Sequence, residues 1–338
     1  MIDILVAGGG PAGLAAAIRA ASPAGLEAVV VEPRPLPVDK ACGEGIMPSG
    51  VAALRALGVT PAGSTLRGIR YVEGPRRAEA VFRGGPGLGV RRTALHAALH
   101  RRATELGVRV VTGRAAEVRQ DDDSVTTAGL TARWLVAADG LHSPLRRSLG
   151  LERPRTSPRR YGLRRHYRIA PWTDFVEVHW SREGEAYVTP VGEELVGVAV
   201  LSRHRRSHEQ HLTAFPALAR TLQGLEAGPV RGAGPLRRTV SAPGAGRVLL
   251  AGDAAGYVDA LTGEGIALAV ATASAAVDCL AAGRPEAYPA RWKRLTRRHR
   301  LLTGALLAAA GHPATAGLIV PAAHRLPALF GAAVRALQ

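Results

Sequence analysis

Cysteine, lysine, aromatic side chains and long hydrophobic runs are all scarce in this chain. Cys42 and Cys279 are its only cysteines, too few for a disulfide framework or a four-thiolate zinc site. Lys40 and Lys293 are the only lysines, so nearly all the positive charge is arginine. Aromatics make up 4% of residues, and the arginines are spread along the chain rather than gathered in one stripe. A nucleic-acid partner is therefore not expected, despite a net charge of +17. The most apolar stretch, Ile266 to Ala282, is interrupted by Thr272, Ser274 and Asp278. It falls short of the ~20 strongly apolar residues that a membrane span needs and reads as a buried helix, so no transmembrane segment is expected. The chain opens on Ile2-Asp3-Ile4-Leu5-Val6 without a basic, then apolar, leader, which predicts a cytoplasmic location. Gly-x-Ser-x-Gly and P-loop lysine motifs are missing, so hydrolase and NTPase readings lack their parts. His96 and His100 stand four apart without a third ligand nearby, and no metal site is expected.

What is present is a packed protein of 338 residues, 47% hydrophobic, long enough for two domains or one α/β domain carrying an insertion. Its positive field suits an anionic cofactor, an acidic carrier protein or an acidic lipid surface. Ile4 to Ala7 reads as an apolar strand, Pro11 to Ala21 as an Ala-rich helix and Ala28 to Val31 as a second strand, a βαβ start to a parallel sheet. Arg92 to Leu106 has helical spacing and leads to a strand at Val108 to Val111; Leu135 to Ala138 and Val248 to Ala251 are further short strands. From Tyr161 to Leu201 the pattern alternates, as antiparallel strands with one wet face do.

Between the first strand and helix lies Gly8-Gly9-Gly10-Pro11-Ala12-Gly13, with Glu32 ending the next strand and Pro33 and Arg34 beside it. In such a loop Gly8 permits a tight turn, Gly10 lets backbone approach a pyrophosphate and Gly13 lets helix and strand pack closely. The helix N-terminus then faces the phosphates. Glu32 is placed to accept from ribose hydroxyls and would repel a 2′-phosphate. The pattern alone does not separate FAD from a nicotinamide dinucleotide.

Two later segments do. Ala137-Ala138-Asp139-Gly140-Leu141-His142-Ser143-Pro144-Leu145-Arg146 and Leu250-Ala251-Gly252-Asp253-Ala254-Ala255-Gly256 resemble the D-G and G-D motifs of the FAD-dependent hydroxylase superfamily, which includes geranylgeranyl reductases and flavin halogenases. Arg92-Thr93-Ala94-Leu95 resembles its R-x-x-L, and Lys40-Ala41-Cys42-Gly43-Glu44-Gly45 the K-x-C-G of its geranylgeranyl reductase branch. The resemblance implies that Asp253 and Gly252 meet the ribityl chain, that Arg92 reaches the phosphates or ribityl group, and that Asp139 supports cofactor binding. Helix capping is the alternative for Asp139 and Ser143. Gly263, Glu264, Gly265 and Ile266 correspond to a loop whose N–H groups face the flavin's pyrimidine edge, with Ala260 where the family usually has proline. Lys40 and Gly43 would lie beside the ring. Cys42 is either a catalytic thiol or a small buried hydrophobe, and Glu44 either a proton donor or a surface glutamate. His166 and His179 are candidate substrate-facing residues.

The expected fold class is α/β: a Rossmann-like FAD-binding domain with a parallel sheet, an inserted antiparallel-sheet substrate domain and a helical C-terminus. The FAD-binding parts are placed at 1–75, 91–155 and 241–290, a substrate-domain strand segment at 76–90, the antiparallel substrate domain at 156–240 and the helical segment at 291–338. The tail from Leu301 to Gln338 is expected to pack against the FAD-binding domain, with a cap over the substrate cavity or contact with a membrane surface as the alternatives. The resemblance implies an FAD-dependent oxidoreductase with NADPH or NADH as transient reductant. A monooxygenase adding O2-derived oxygen to an apolar or aromatic, polyketide-like metabolite is favoured. The alternative is a C=C reductase acting on a prenyl or other apolar substrate. Halogenation is not expected, because W-x-W-x-I-P is missing and the corresponding region reads Tyr187-Val188-Thr189-Pro190.

Overall fold

A computed structural model describes residues 1–154 and 158–336. The boundary expected between 155 and 156 lies outside the described residues, as do the last two residues of the tail.

Among the described residues, the first sheet has eight strands. At its centre Ile2–Ala7 pairs in parallel with Ala28–Glu32 on one side and with Leu130–Ala137 on the other. Arg109–Thr112 extends it in parallel beyond Ala28–Glu32, and Val248–Leu250 beyond Leu130–Ala137. Ile2–Ala7, Ala28–Glu32 and Val248–Leu250 are buried on both faces, which is why they read as short, nearly continuous Val, Ile, Leu and Ala runs. Helices Pro11–Ala21, Arg92–Glu105 and Gly265–Ala281 contribute to the main core cluster on one face. Gly265–Ala281 buries small side chains such as Ala269, Ala273, Ala275 and Ala276 along with Ile266, Val270 and Leu280.

The second sheet has seven strands among the described residues. Tyr161–Arg168, Leu195–Ser202, Gly184–Gly192 and Phe175–Ser181 follow one another in antiparallel order. Gly68–Glu73 then joins Phe175–Ser181 in parallel and carries Arg76–Val81 as its hairpin partner. This corrects one boundary: Gly68–Glu73 is part of this sheet, although the division at 75/76 assigns it to the FAD-binding part. The turn explains why, since Gly74 takes a left-handed φ of 56° and folds both strands into one hairpin.

The tail divides between the two parts: Thr303 meets Thr262 of the FAD-binding part at 2.9 Å, whereas helices Ile319–Arg325 and Pro327–Arg335 cover the seven-stranded sheet, which corrects the expected packing for those two helices. Phe330 meets Tyr71 at 4.6 Å between ring centroids, and the carbonyl of Arg77 lies 2.7 Å from His324 Nδ1. Val320, Ala323, Phe330 and Val334 bury themselves against Ile69, Ala78 and Trp180 of that sheet.

Candidate functional site

Four separated segments meet at the C-terminal ends of the parallel strands, where open α/β sheets bind their ligands. Gly8 has φ 100°, and a Cβ there would lie 2.6 Å from the carbonyl oxygen of Ala138. A Cβ on Gly13 would come within 1.8 Å of the Gly8 carbonyl oxygen, so helix and turn touch backbone to backbone. Pro11 occupies the first turn of the helix, where its missing N–H costs nothing. Ala12 lies against Gly252, whose own Cβ would sit 2.8 Å from the Ala12 Cβ. Lys40 Nζ is 3.2 Å from where a Cβ of Gly140 would be. The loops at Gly8, Lys40, Asp139 and Asp253 therefore form one cradle.

Charged groups line it in a definite order. Glu32 is buried and accepts from Gly9 N at 2.7 Å and from Arg34 Nε at 2.6 Å. Burial alone would raise its pKa, but the Arg34 and Gly9 donors outweigh burial and hold it below the usual carboxylate value. The neighbouring Pro33 is exposed. Arg92 starts its helix with Nη2 3.8 Å from where a Cβ of Gly10 would be, while its buried Nε has no hydrogen-bond partner among the described residues. An anionic group at Gly10 is the chemistry that such a donor lacks. Asp139 accepts from Leu145 N at 3.2 Å while Ser143 caps the same short helix through Arg146 N at 2.8 Å, so both capping readings hold. Asp253 stands in a tight turn, Gly252–Ala255; burial raises its pKa against the pull of Lys40, Arg92 and Arg146. Gly263 is left-handed with φ 71°, and Glu264 is the N-cap residue of the helix that Ile266 anchors in the core. These residues fit an elongated anionic dinucleotide such as FAD.

Beside the cradle lies a second constellation that joins three of the candidate catalytic residues. Glu44 is 1% exposed, which corrects the surface-glutamate reading, and its backbone is left-handed at φ 61°. Its carboxylate accepts from Arg92 N at 2.8 Å and meets His166 Nε2 at 2.7 Å. Arg164 Nη1 lies 3.0 Å from His166 Nδ1. Arginine can only donate, so Nδ1 is the acceptor and the ring proton sits on Nε2, directed at Glu44. Arg164 also pairs with Asp39, which Arg231 holds from the other side at 2.9 Å. Thr189 donates to the Gly43 carbonyl at 2.8 Å. Cys42 Sγ accepts from Glu44 N at 3.4 Å, and burial pushes its thiol up.

His179 is not part of this group. It pairs in register with Ala186, Ala186 with Val200, and Val200 with Leu163, an odd number of positions from His166. Side chains alternate along a strand, so the two histidines occupy opposite sheet faces. His179 instead contacts Glu177, 3.2 Å away.

Sequence reasoning missed four residues here. His96 is buried with Nε2 2.9 Å from the Gly9 carbonyl, supporting the glycine loop from behind. Arg146 is fully buried and donates to the carbonyls of Ala254 and Leu141, joining the loops of Asp139 and Asp253. His299 Nδ1 lies 2.6 Å from Glu264 and ties the N-terminus of Gly265–Ala281 to a C-terminal helix. Tyr257 packs against Gly265, its phenol pushed well up by burial and by Asp253, Asp259 and Cys42. Arg146 and Tyr257 adjoin recognised motifs, which is a usable signal; His96 and His299 carry none.

Comparison with known proteins agrees with this geometry. Residues 1–300 match the FAD binding domain family. The menaquinone reductase of Mycobacterium tuberculosis is 31% identical over 314 residues, covering 82% of this chain and 76% of its own length. Digeranylgeranylglycerophospholipid reductase 1 of Methanopyrus kandleri is 30% identical over 308 residues, covering 78% and 76%. A geranylgeranyl bacteriochlorophyll reductase-like protein of Thermoplasma acidophilum has a TM-score of 0.77 at 21% identity, covering 98% of this chain and 91% of that one. A flavin-dependent brominase has a TM-score of 0.81 at 16% identity, covering 99% and 93%. The two structural likenesses are of fold alone.

Proposed function

The chain belongs to the FAD binding domain family, and from that premise we propose that it is an FAD-dependent reductase that saturates a C=C bond in the prenyl chain of a large apolar substrate. This reverses the preference drawn from sequence, where oxygenation led and reduction was the alternative. The observation that carries it is the place of Cys42, whose thiol burial pushes up, on the loop that Glu44–His166 and Thr189–Gly43 fasten to the seven-stranded sheet beside the dinucleotide cradle. Adding hydrogen across a C=C bond takes a hydride and a proton. FAD, when bound and reduced by NADPH or NADH, supplies the hydride. Cys42 supplies the proton at Sγ and regains one from water. Glu44 is a positioning residue, both its oxygens accepting from Arg92 and His166. The sheet face carrying Trp180, Tyr187 and Leu201 packs against apolar side chains of the C-terminal helices. The relatives named for menaquinone and digeranylgeranylglycerophospholipid reduction support the reading, because both compounds carry prenyl-derived chains.

The test is a single turnover without oxygen. Holoenzyme reduced with dithionite and mixed with a polyprenyl quinone or a geranylgeranyl lipid is expected to return oxidised flavin and a product richer by two hydrogens. Cys42→Ser should keep its flavin and slow that step by about a hundredfold or more. Product formed only in air, and richer by oxygen, overturns the proposal.

A further inference from the structure

The C-terminal helices present a surface that the reaction does not use. Leu301, Leu318, Leu326 and Leu329 are 63%, 58%, 52% and 65% exposed. They account for four of the large apolar side chains most open to solvent, and all fall in the final helical segment. Along Tyr288–Gly311 the exposed side changes character. Its first half shows Lys293, Arg294, Arg297, Arg298 and Arg300; its second half shows Leu301, Ala305 and Ala308. Arg294, Arg298, Leu301, Ala305 and Ala308 recur three or four residues apart and so form one stripe. After Glu286 the sequence holds no acidic residue at all.

We infer that this face docks on a bilayer carrying anionic lipid, the leucines entering the acyl boundary and the arginines meeting the phosphates. A cationic rim around exposed leucines matches the headgroup and acyl layers of such a surface. An acidic protein would satisfy the arginines but leave the leucines without a partner. No single described helix is long and apolar enough to cross a membrane; Pro285–Gly311 and Pro313–Arg325 pass on length and composition only as a pair, bent by 102°. The same helices roof the apolar layer of the seven-stranded sheet, so docking would bring that layer beside the lipid. The docking face is independent of the reaction, and a chain that fails to hydrogenate would still bind.

Sedimentation of the FAD-loaded full chain with phosphatidylcholine vesicles, with and without phosphatidylglycerol, tests it. Binding is expected only with phosphatidylglycerol and should weaken with salt. Arg294→Ala and Arg297→Ala should each lower partitioning about fivefold. The pair Leu326→Ser and Leu329→Ser should lower it by about tenfold or more while flavin absorbance stays unchanged. The inference is overturned by no binding to anionic vesicles, by equal binding to neutral ones, or by a leucine pair that binds as the parent does. The last result, with retention on poly-glutamate, would assign the face to an acidic protein instead.

Discussion

Gly13 shows how much one hydrogen atom in place of a methyl group decides. The distance of 1.8 Å from its would-be Cβ to the Gly8 carbonyl oxygen involves backbone on both sides, so neither can swing away. Gly13→Ala is expected to destabilise the chain by about 1–3 kcal/mol, as overpacking does, and to strip most of the flavin from the purified protein. Gly317→Ala is the control, since Gly317 is exposed, lies outside the cradle and has nothing within 4 Å of a Cβ there. Denaturant midpoints and flavin content of the two variants check this; a Gly13→Ala protein with full flavin and parental stability refutes the close-packing account. At this scale the glycine motif was legible because its spacing encodes a backbone shape. The role of Glu44 was not, because its partner His166 lies 122 positions away and nothing local to Glu44 announces burial.

The loop from Lys40 to Gly45 is short of regular structure, yet the Glu44–His166 contact fastens it to strand Tyr161–Arg168. Both side chains are at least nine-tenths buried, so losing one partner strands the other without water to replace it. In a double-mutant cycle of Glu44→Ala and His166→Ala, the coupling energy is expected at about 1 kcal/mol or more, against the few tenths typical of independent sites. Strictly additive losses in urea unfolding would show that the two merely lie side by side. Element types were largely readable from periodicity: the strands of the parallel sheet, the alternating strands of the antiparallel one and the helix Gly265–Ala281 all appear near their expected places. Partner choice was less readable. An apolar stripe reports that a helix buries a face, not against which sheet, so the favoured neighbour for Ile319–Arg325 and Pro327–Arg335, the FAD-binding part, was not the one they cover.

Taken whole, the molecule gathers a parallel sheet from strands as far apart as Ile2–Ala7 and Val248–Leu250, and the cradle exists only when those strands are in register. A ligand that touches all its loops binds the folded chain and not the unfolded one, so it must stabilise the fold by mass action. At a hundredfold excess over its dissociation constant, FAD should add about 2.7 kcal/mol. For a chain of 338 residues that corresponds to a rise of roughly 4 °C in the unfolding midpoint. Asp253→Ala should shrink this increment while leaving the midpoint of the FAD-free chain nearly unchanged, because burial already raises the energy of that carboxylate. The net charge of +17 adds a long-range component: an anionic ligand is drawn in, and salt screens the attraction. The increment should therefore fall as ionic strength rises at fixed FAD. Differential scanning fluorimetry of flavin-stripped protein, titrated with FAD at low and high salt, measures both effects. A midpoint indifferent to FAD would mean that the gathered loops hold some other ligand, whatever the chain's likeness to flavoproteins.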